Sequence, residues 1–150
     1  MSIIEQLMSN KVLLAGAAGW CVAQVLKTLI HLLFTREFVP ERLVGSGGMP
    51  SSHSATVCAL TTSSLMIHGI ASSEFAICFF LALIVMHDAM GVRRETGIQA
   101  MVLNDIIKVL DDMGSDMPPQ DKLKEFVGHT PFQVLVGGLL GILLAILICS

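Results

Sequence analysis

The chain contains no tyrosine and a single tryptophan in 150 residues, and only 14% of its residues are charged. Soluble domains carry roughly 25% charged residues, so a fully solvated surface is excluded. Basic residues number nine against twelve acidic ones, for a net charge of -3. No dense basic run exists to track a phosphodiester backbone, and nucleic acid is not an expected partner. Cysteine is also sparse. Cys21, Cys58, Cys78 and Cys149 all fall in apolar stretches without Cys-x-x-Cys spacing, which argues for buried thiols rather than disulfides or metal ligands. A cleavable leader is not expected, because the first apolar stretch is long and lacks both a basic flank and a small-residue cleavage site.

What is present is apolar sequence: 53% hydrophobic residues and a mean hydropathy of +0.75. A membrane-spanning helix needs about 20 mostly apolar residues. Val12–Phe34 meets this, Phe75–Met90 is strongly apolar until His87 and Asp88, Phe132–Cys149 is a clean apolar span, and the Ser/Thr-rich Ala55–Ile70 is a marginal fourth. Ser2–Met8 suits a short interfacial helix. The expected fold is all-α: one integral-membrane helical bundle over 1–150, with about four spans and both termini on one side. The polar segments Thr35–Ser54 and Gly91–Thr130 then share the opposite side. Within the second, Leu103, Ile106, Leu110 and Met113 recur at helical spacing, which predicts an amphipathic helix over Thr96–Met113, ahead of the last span. Asp116–Pro119 reads as a turn and Gln120–Val127 as a short helix.

Four polar constellations gather on that shared side. Lys27 and His31 lie one helical turn apart in the first span, where Lys27 either faces the bundle interior or snorkels to the headgroups. Gly47–Ala55 sets two glycines, Pro50, Ser51, Ser52, His53 and Ser54 at the start of an apolar segment. It reads as an ordinary proline turn and serine cap, or as an anion cradle with an imidazole beside it. His87–Arg94 places Asp88 ahead of Arg93 and Arg94, as a helix-end salt bridge and topology signal or as a guanidinium clamp for phosphate. Gly128–Gln133 offers Thr130 as N-cap, Pro131 at the first helical position, and His129 just outside the helix start.

These residues together resemble the divergent branch of the type-2 phosphatidic acid phosphatase superfamily. Pro50-Ser51-Ser52-His53 is similar to that superfamily's Pro-Ser-Gly-His, with Ser for Gly. His129–Val134, followed by Gly137 and Gly138, resembles the end of its third motif, and Lys27 with Arg36 or Arg42 resembles its first. The resemblance implies a metal-independent phosphomonoesterase with no cofactor. His129 would be the nucleophile and His53 the general acid. Lys27, Arg36 or Arg42, Arg93 or Arg94, Ser51, Ser52 and backbone N–H groups would hold the phosphate oxygens. Two positions depart from the pattern. The histidine-orienting carboxylate falls at Gln133, and the third-motif arginine position is Leu123. A motif split by an insertion accounts for both, with Arg93 or Arg94 supplying the guanidinium and Asp88 the carboxylate.

The leading expectation is a membrane phosphatase acting on a lipid phosphate or similar amphiphilic phosphomonoester. The alternative is a non-catalytic phospholipid or prenyl-phosphate binding or transport protein. A metal site from His53, His87, Asp88 and His129 is disfavoured, since none of these pairs has the i, i+4 spacing of common metal motifs. The expected partners are the bilayer, the phosphorylated lipid and a second copy of the chain in a homodimer. The weight of Lys and Arg on the catalytic side points to the cytoplasm.

Overall fold

The computed structural model describes residues 2–36, 47–113, 123 and 128–150, and every described element is helical. The helices are α1 (Ile3–Ser9), α2 (Lys11–Thr35), α3 (Ser52–His68), α4 (Ser73–Met90), α5 (Val92–Asp112) and α6 (Pro131–Cys149). Their starts follow local chemistry. Ser2 and Thr130 close capping boxes with Glu5 and Gln133, and Asn10, Ser51 and Ser72 accept first-turn N–H bonds. Each such cap stabilises its helix by about 1 kcal/mol.

Three helical stretches are long and apolar enough to cross a membrane: Lys11–Thr35, Ser73–Asp112 and Pro131–Cys149. The marginal fourth, expected over Ala55–Ile70, is the 17-residue α3. This helix is the centre of the bundle, packed against α2, α4 and α6. Its hydroxyls explain that placement. Thr56, Ser63 and Thr61 bond the Ser52, Ala59 and Val57 carbonyls, and Thr61 also reaches the Cys78 carbonyl on α4. The Thr61 bond to α4 favours a place among other helices rather than against lipid.

Small residues set the packing. The core is Ala15, Ala59 and Ala145, all fully buried. A Cβ at Gly19 would stand 2.8 Å from the Ala55 carbonyl, and Cβ atoms at Gly137 and Gly141 would overlap the Ser51 and Ala55 carbonyls. Ala55 is thus gripped between α2 and α6, the close small-residue approach used by helices in lipid. Large apolar side chains such as Ile77, Phe80, Ile84 and Leu147 point outward, as a hydrocarbon surrounding favours.

The helices alternate in direction. Lys11 Nζ donates to the Cys149 carbonyl at 3.2 Å, so the start of α2 lies beside the end of α6. At the other end, Ser51 N–H donates to the Gln133 carbonyl (3.2 Å) and His129 N–H to the Ala89 carbonyl (3.0 Å). The starts of α3 and α6 therefore meet the end of α4. The amphipathic helix begins at Val92 rather than Thr96, directly after α4, because only Gly91 (φ -98°, ψ -96°) separates the two. The Asp116–Pro119 turn and the Gln120–Val127 helix lie outside the described residues, Leu123 excepted.

Candidate active site

Two histidines, from segments far apart in sequence, come together where α3 and α6 begin. The His53 and His129 rings stand edge to face, with centroids 6.1 Å apart. His53 is the second residue of α3, a position fixed by Ser51. That serine's hydroxyl caps Ser54 N–H (3.3 Å) and accepts from Ser54 Oγ (3.0 Å). The first-turn N–H groups of an α-helix have no intrahelical acceptors, so the start of α3 presents donors beside the imidazoles. Gly47 and Gly48 lead into this turn with φ of 96° and 81°, followed by a cis Met49–Pro50 peptide.

His129 is only 2% exposed, and the state of its ring follows from its neighbours. Thr130 N–H, which can only donate, reaches Gln133 Oε1 at 3.1 Å. That fixes Oε1 as an acceptor and so fixes the orientation of the amide. The same oxygen lies 3.3 Å from His129 Nδ1. Nδ1 must therefore carry the proton, which leaves the lone pair of the neutral ring on Nε2. His129 Nε2 and His53 Nδ1 are buried without a hydrogen-bond partner among the described residues. Burial holds the His129 pKa below the usual imidazole value. The Gln133 bond and the Gly48 backbone pull it up, while the Lys27 and His53 charges pull it down.

Cationic groups border the pair. Lys27 is 2% exposed and continues the buried row Ala15, Gly19, Ala23 along α2. Its charge acts on both imidazoles, so it faces the interior and does not snorkel. Arg93 Nε donates to Asp88 Oδ2 at 2.6 Å, with both side chains partly exposed, and both charges act on His53. Gly128 joins this region to His129. Its φ is +94°, and a Cβ there would collide with the Arg93–Arg94 backbone. The segment entering His129 thus lies directly on the start of α5, which brings the Arg93 region beside His129 across the intervening α5 sequence.

The other expected residues divide. Ser51 and Ser52 are buried at the start of α3. Gln133 contacts His129 where Asp88 was expected to supply a carboxylate, and Asp88 engages Arg93 instead. Arg94 is exposed, and its backbone lies against Gly128. Arg36 is the exposed, left-handed cap of α2, roughly 13 Å beyond Lys27 at about 1.5 Å per residue. Arg42 lies outside the described residues. His31 sits 3.4 Å from Thr35 Oγ1. Gln24 went unnoticed as a site residue. Its signal was a polar side chain one turn before Lys27 inside an apolar span, and its Oε1 accepts from Lys27 Nζ at 2.6 Å.

The divergent PAP2 family matches the chain over residues 8–144. The uncharacterized membrane protein YuiD of Bacillus subtilis (strain 168) is 41% identical over 152 residues, covering 95% of this chain and 96% of that protein. No solved structure matches.

Proposed function

The chain belongs to the divergent PAP2 family of membrane proteins, and from that premise we propose that it hydrolyses a lipid phosphate, or a similar amphiphilic phosphomonoester, through a phosphohistidine. The observation that carries this reading is the His129 ring. Gln133 holds its Nδ1–H, and its Nε2 is left buried beside His53.

Nε2 of His129 attacks phosphorus, and the bond from phosphorus to the leaving oxygen breaks. His53 gives that oxygen its proton, so the lipid alcohol departs neutral. Water, deprotonated by His53, then attacks the phosphohistidine. Inorganic phosphate and free His129 are regenerated. The equatorial oxygens are held by Lys27, Arg93, Ser52 and the N–H groups at the start of α3, since phosphoryl transfer depends mainly on positioning and charge stabilisation. Gln133 fixes the tautomer without the negative charge of a carboxylate.

In this reading α3 is the fourth crossing, shielded from lipid by α2, α4 and α6. The phosphate site then lies at one bilayer boundary, which suits a substrate whose tail stays in the membrane. The Lys and Arg excess at that boundary favours the cytoplasmic side.

The test is phosphate release from several lipid phosphates by detergent-purified protein, with and without vanadate. Release that vanadate inhibits and His129→Ala abolishes is the expected result. Lipid phosphate retained without release would assign the protein to binding or transport instead.

A further inference from the structure

We propose that Gln24 is a positioning residue that holds Lys27 at the phosphate site. The inference rests on the phosphatase reading for the role of Lys27 and adds a residue which that reading does not contain.

The two side chains are buried together in α2, Gln24 4% and Lys27 2% exposed, and Lys27 Nζ donates to Gln24 Oε1 at 2.6 Å. An ammonium group can only donate, so the amide oxygen is the contacting atom. The Gln24 main-chain carbonyl is engaged separately, by Thr28 Oγ1 at 2.9 Å. A buried amide in a membrane-crossing helix is costly unless it is bonded, and the observed bond goes to Lys27. The lysine stem is long and flexible and its head is a compact point charge. An acceptor one turn back therefore selects, from many rotamers, those that keep Nζ inside the bundle. The Lys27 charge already acts on His53 and His129, so its placement sets the field where the phosphate binds.

The same chemistry recurs at His129. There too an amide oxygen, from Gln133, holds a basic nitrogen in one orientation. Lys27 and His129 are thus each steered by a glutamine, Gln24 on the same helix and Gln133 in the first turn of the helix that His129 precedes.

The experiment is a double-mutant cycle on the full-length protein in detergent. Binding of inorganic phosphate is measured by titration calorimetry, and phosphate release is measured from a lipid phosphate. Lys27→Met is expected to weaken phosphate binding about tenfold or more, and Gln24→Met about three- to tenfold, with KM raised more than kcat is lowered. Gln24→Asn, which keeps the amide but withdraws it by one carbon, is expected to match Gln24→Met. In the Lys27→Met background, Gln24→Met is expected to have no further effect, because its influence runs through Lys27. Equal losses from Gln24→Met in both backgrounds would assign Gln24 a purely structural role and overturn the proposal. Unchanged affinity in Gln24→Met alongside a weakened Lys27→Met would overturn it too. Unchanged binding in Lys27→Met would instead remove Lys27 from the phosphatase reading itself.

Discussion

Gln133 Oε1 accepts from both Thr130 N–H (3.1 Å) and His129 Nδ1 (3.3 Å), so one amide caps α6 and sets the imidazole tautomer. A carboxylate would do the same and would also stabilise an imidazolium. The amide supplies orientation without that charge, and the consequences can be measured.

Gln133→Leu removes the acceptor and frees the ring to adopt the other tautomer. We expect kcat to fall about 100-fold or more, on the scale of losses seen when the orienting partner of a catalytic histidine is removed. Thermal stability should fall less, by the roughly 1 kcal/mol of a lost cap. Steady-state phosphate release and a melting curve separate the two effects.

The pH profile follows from burial. In the proposed mechanism the nucleophile is neutral His129, and its pKa lies below the usual value. Lowering the pKa keeps the neutral form at more acidic pH, so the acid limb of kcat/KM should fall below the unperturbed imidazole value of about 6.5. In Gln133→Glu the carboxylate favours the imidazolium, raises that pKa and should move the limb upward. An acid limb that shifts downward in Gln133→Glu would exclude His129 as its source.

Arg93 and Asp88 form a partly exposed pair, and such pairs stabilise folds by about 0–1 kcal/mol. Arg93→Ala should therefore leave the melting temperature nearly unchanged while raising KM about tenfold or more, through loss of a phosphate contact. Asp88→Asn should have the smaller effect on kcat, since His129 takes its orientation from Gln133. A loss in Asp88→Asn equal to that of His129→Ala would restore Asp88 as the orienting carboxylate.

Gly141→Ala tests the packing. Its Cβ would overlap the Ala55 carbonyl, forcing α3 and α6 apart at a cost of about 1–3 kcal/mol. Gly128→Ala tests the seat of His129, combining a collision with the Arg93–Arg94 backbone and a φ of +94°. That backbone conformation costs an L-residue about 1–2 kcal/mol. Gly128→Ala should lower activity out of proportion to stability, because the displaced segment carries His129, whereas Gly141→Ala should lower both together. Denaturation and phosphate release on the same preparations check this.

Sidedness has its own test. A protease site inserted after Met113, in the exposed end of α5, should resist cleavage in intact cells and be cut in inverted vesicles. Cleavage in intact cells would place the site on the outer face.

Much of this fold was legible because its signals are local. The apolar runs of α2, α4 and α6, the Ser51 cap of α3 and the Thr130–Pro131 start of α6 all depend on adjacent residues. The motif segments around His53 and His129 were visible for the same reason. The centrality of α3 was not, because a Ser/Thr-rich stretch reads as a poor span until partners accept its hydroxyls. Gly137 and Gly138 read as motif residues, whereas the close approach to the α3 backbone falls to Gly137 and Gly141 and depends on the helix crossing. Gln133 already fell at the motif position that orients His129, while which amide atom faces the ring depended on the cap geometry at Thr130, and the carboxylate sought at Asp88 bonds Arg93 instead. Gln24 needed the position of Lys27 to acquire a meaning.

The most direct measurement is to trap the covalent intermediate. Purified protein is mixed with phosphorus-labelled lipid phosphate, quenched under alkaline conditions that preserve phosphohistidine, and mapped by peptide mass spectrometry. A phosphoryl group on His129, absent from His129→Ala and accumulating in His53→Ala with a good leaving group, is the predicted result. Phosphate released at wild-type rate by His129→Ala, or label carried on another residue, would contradict the account.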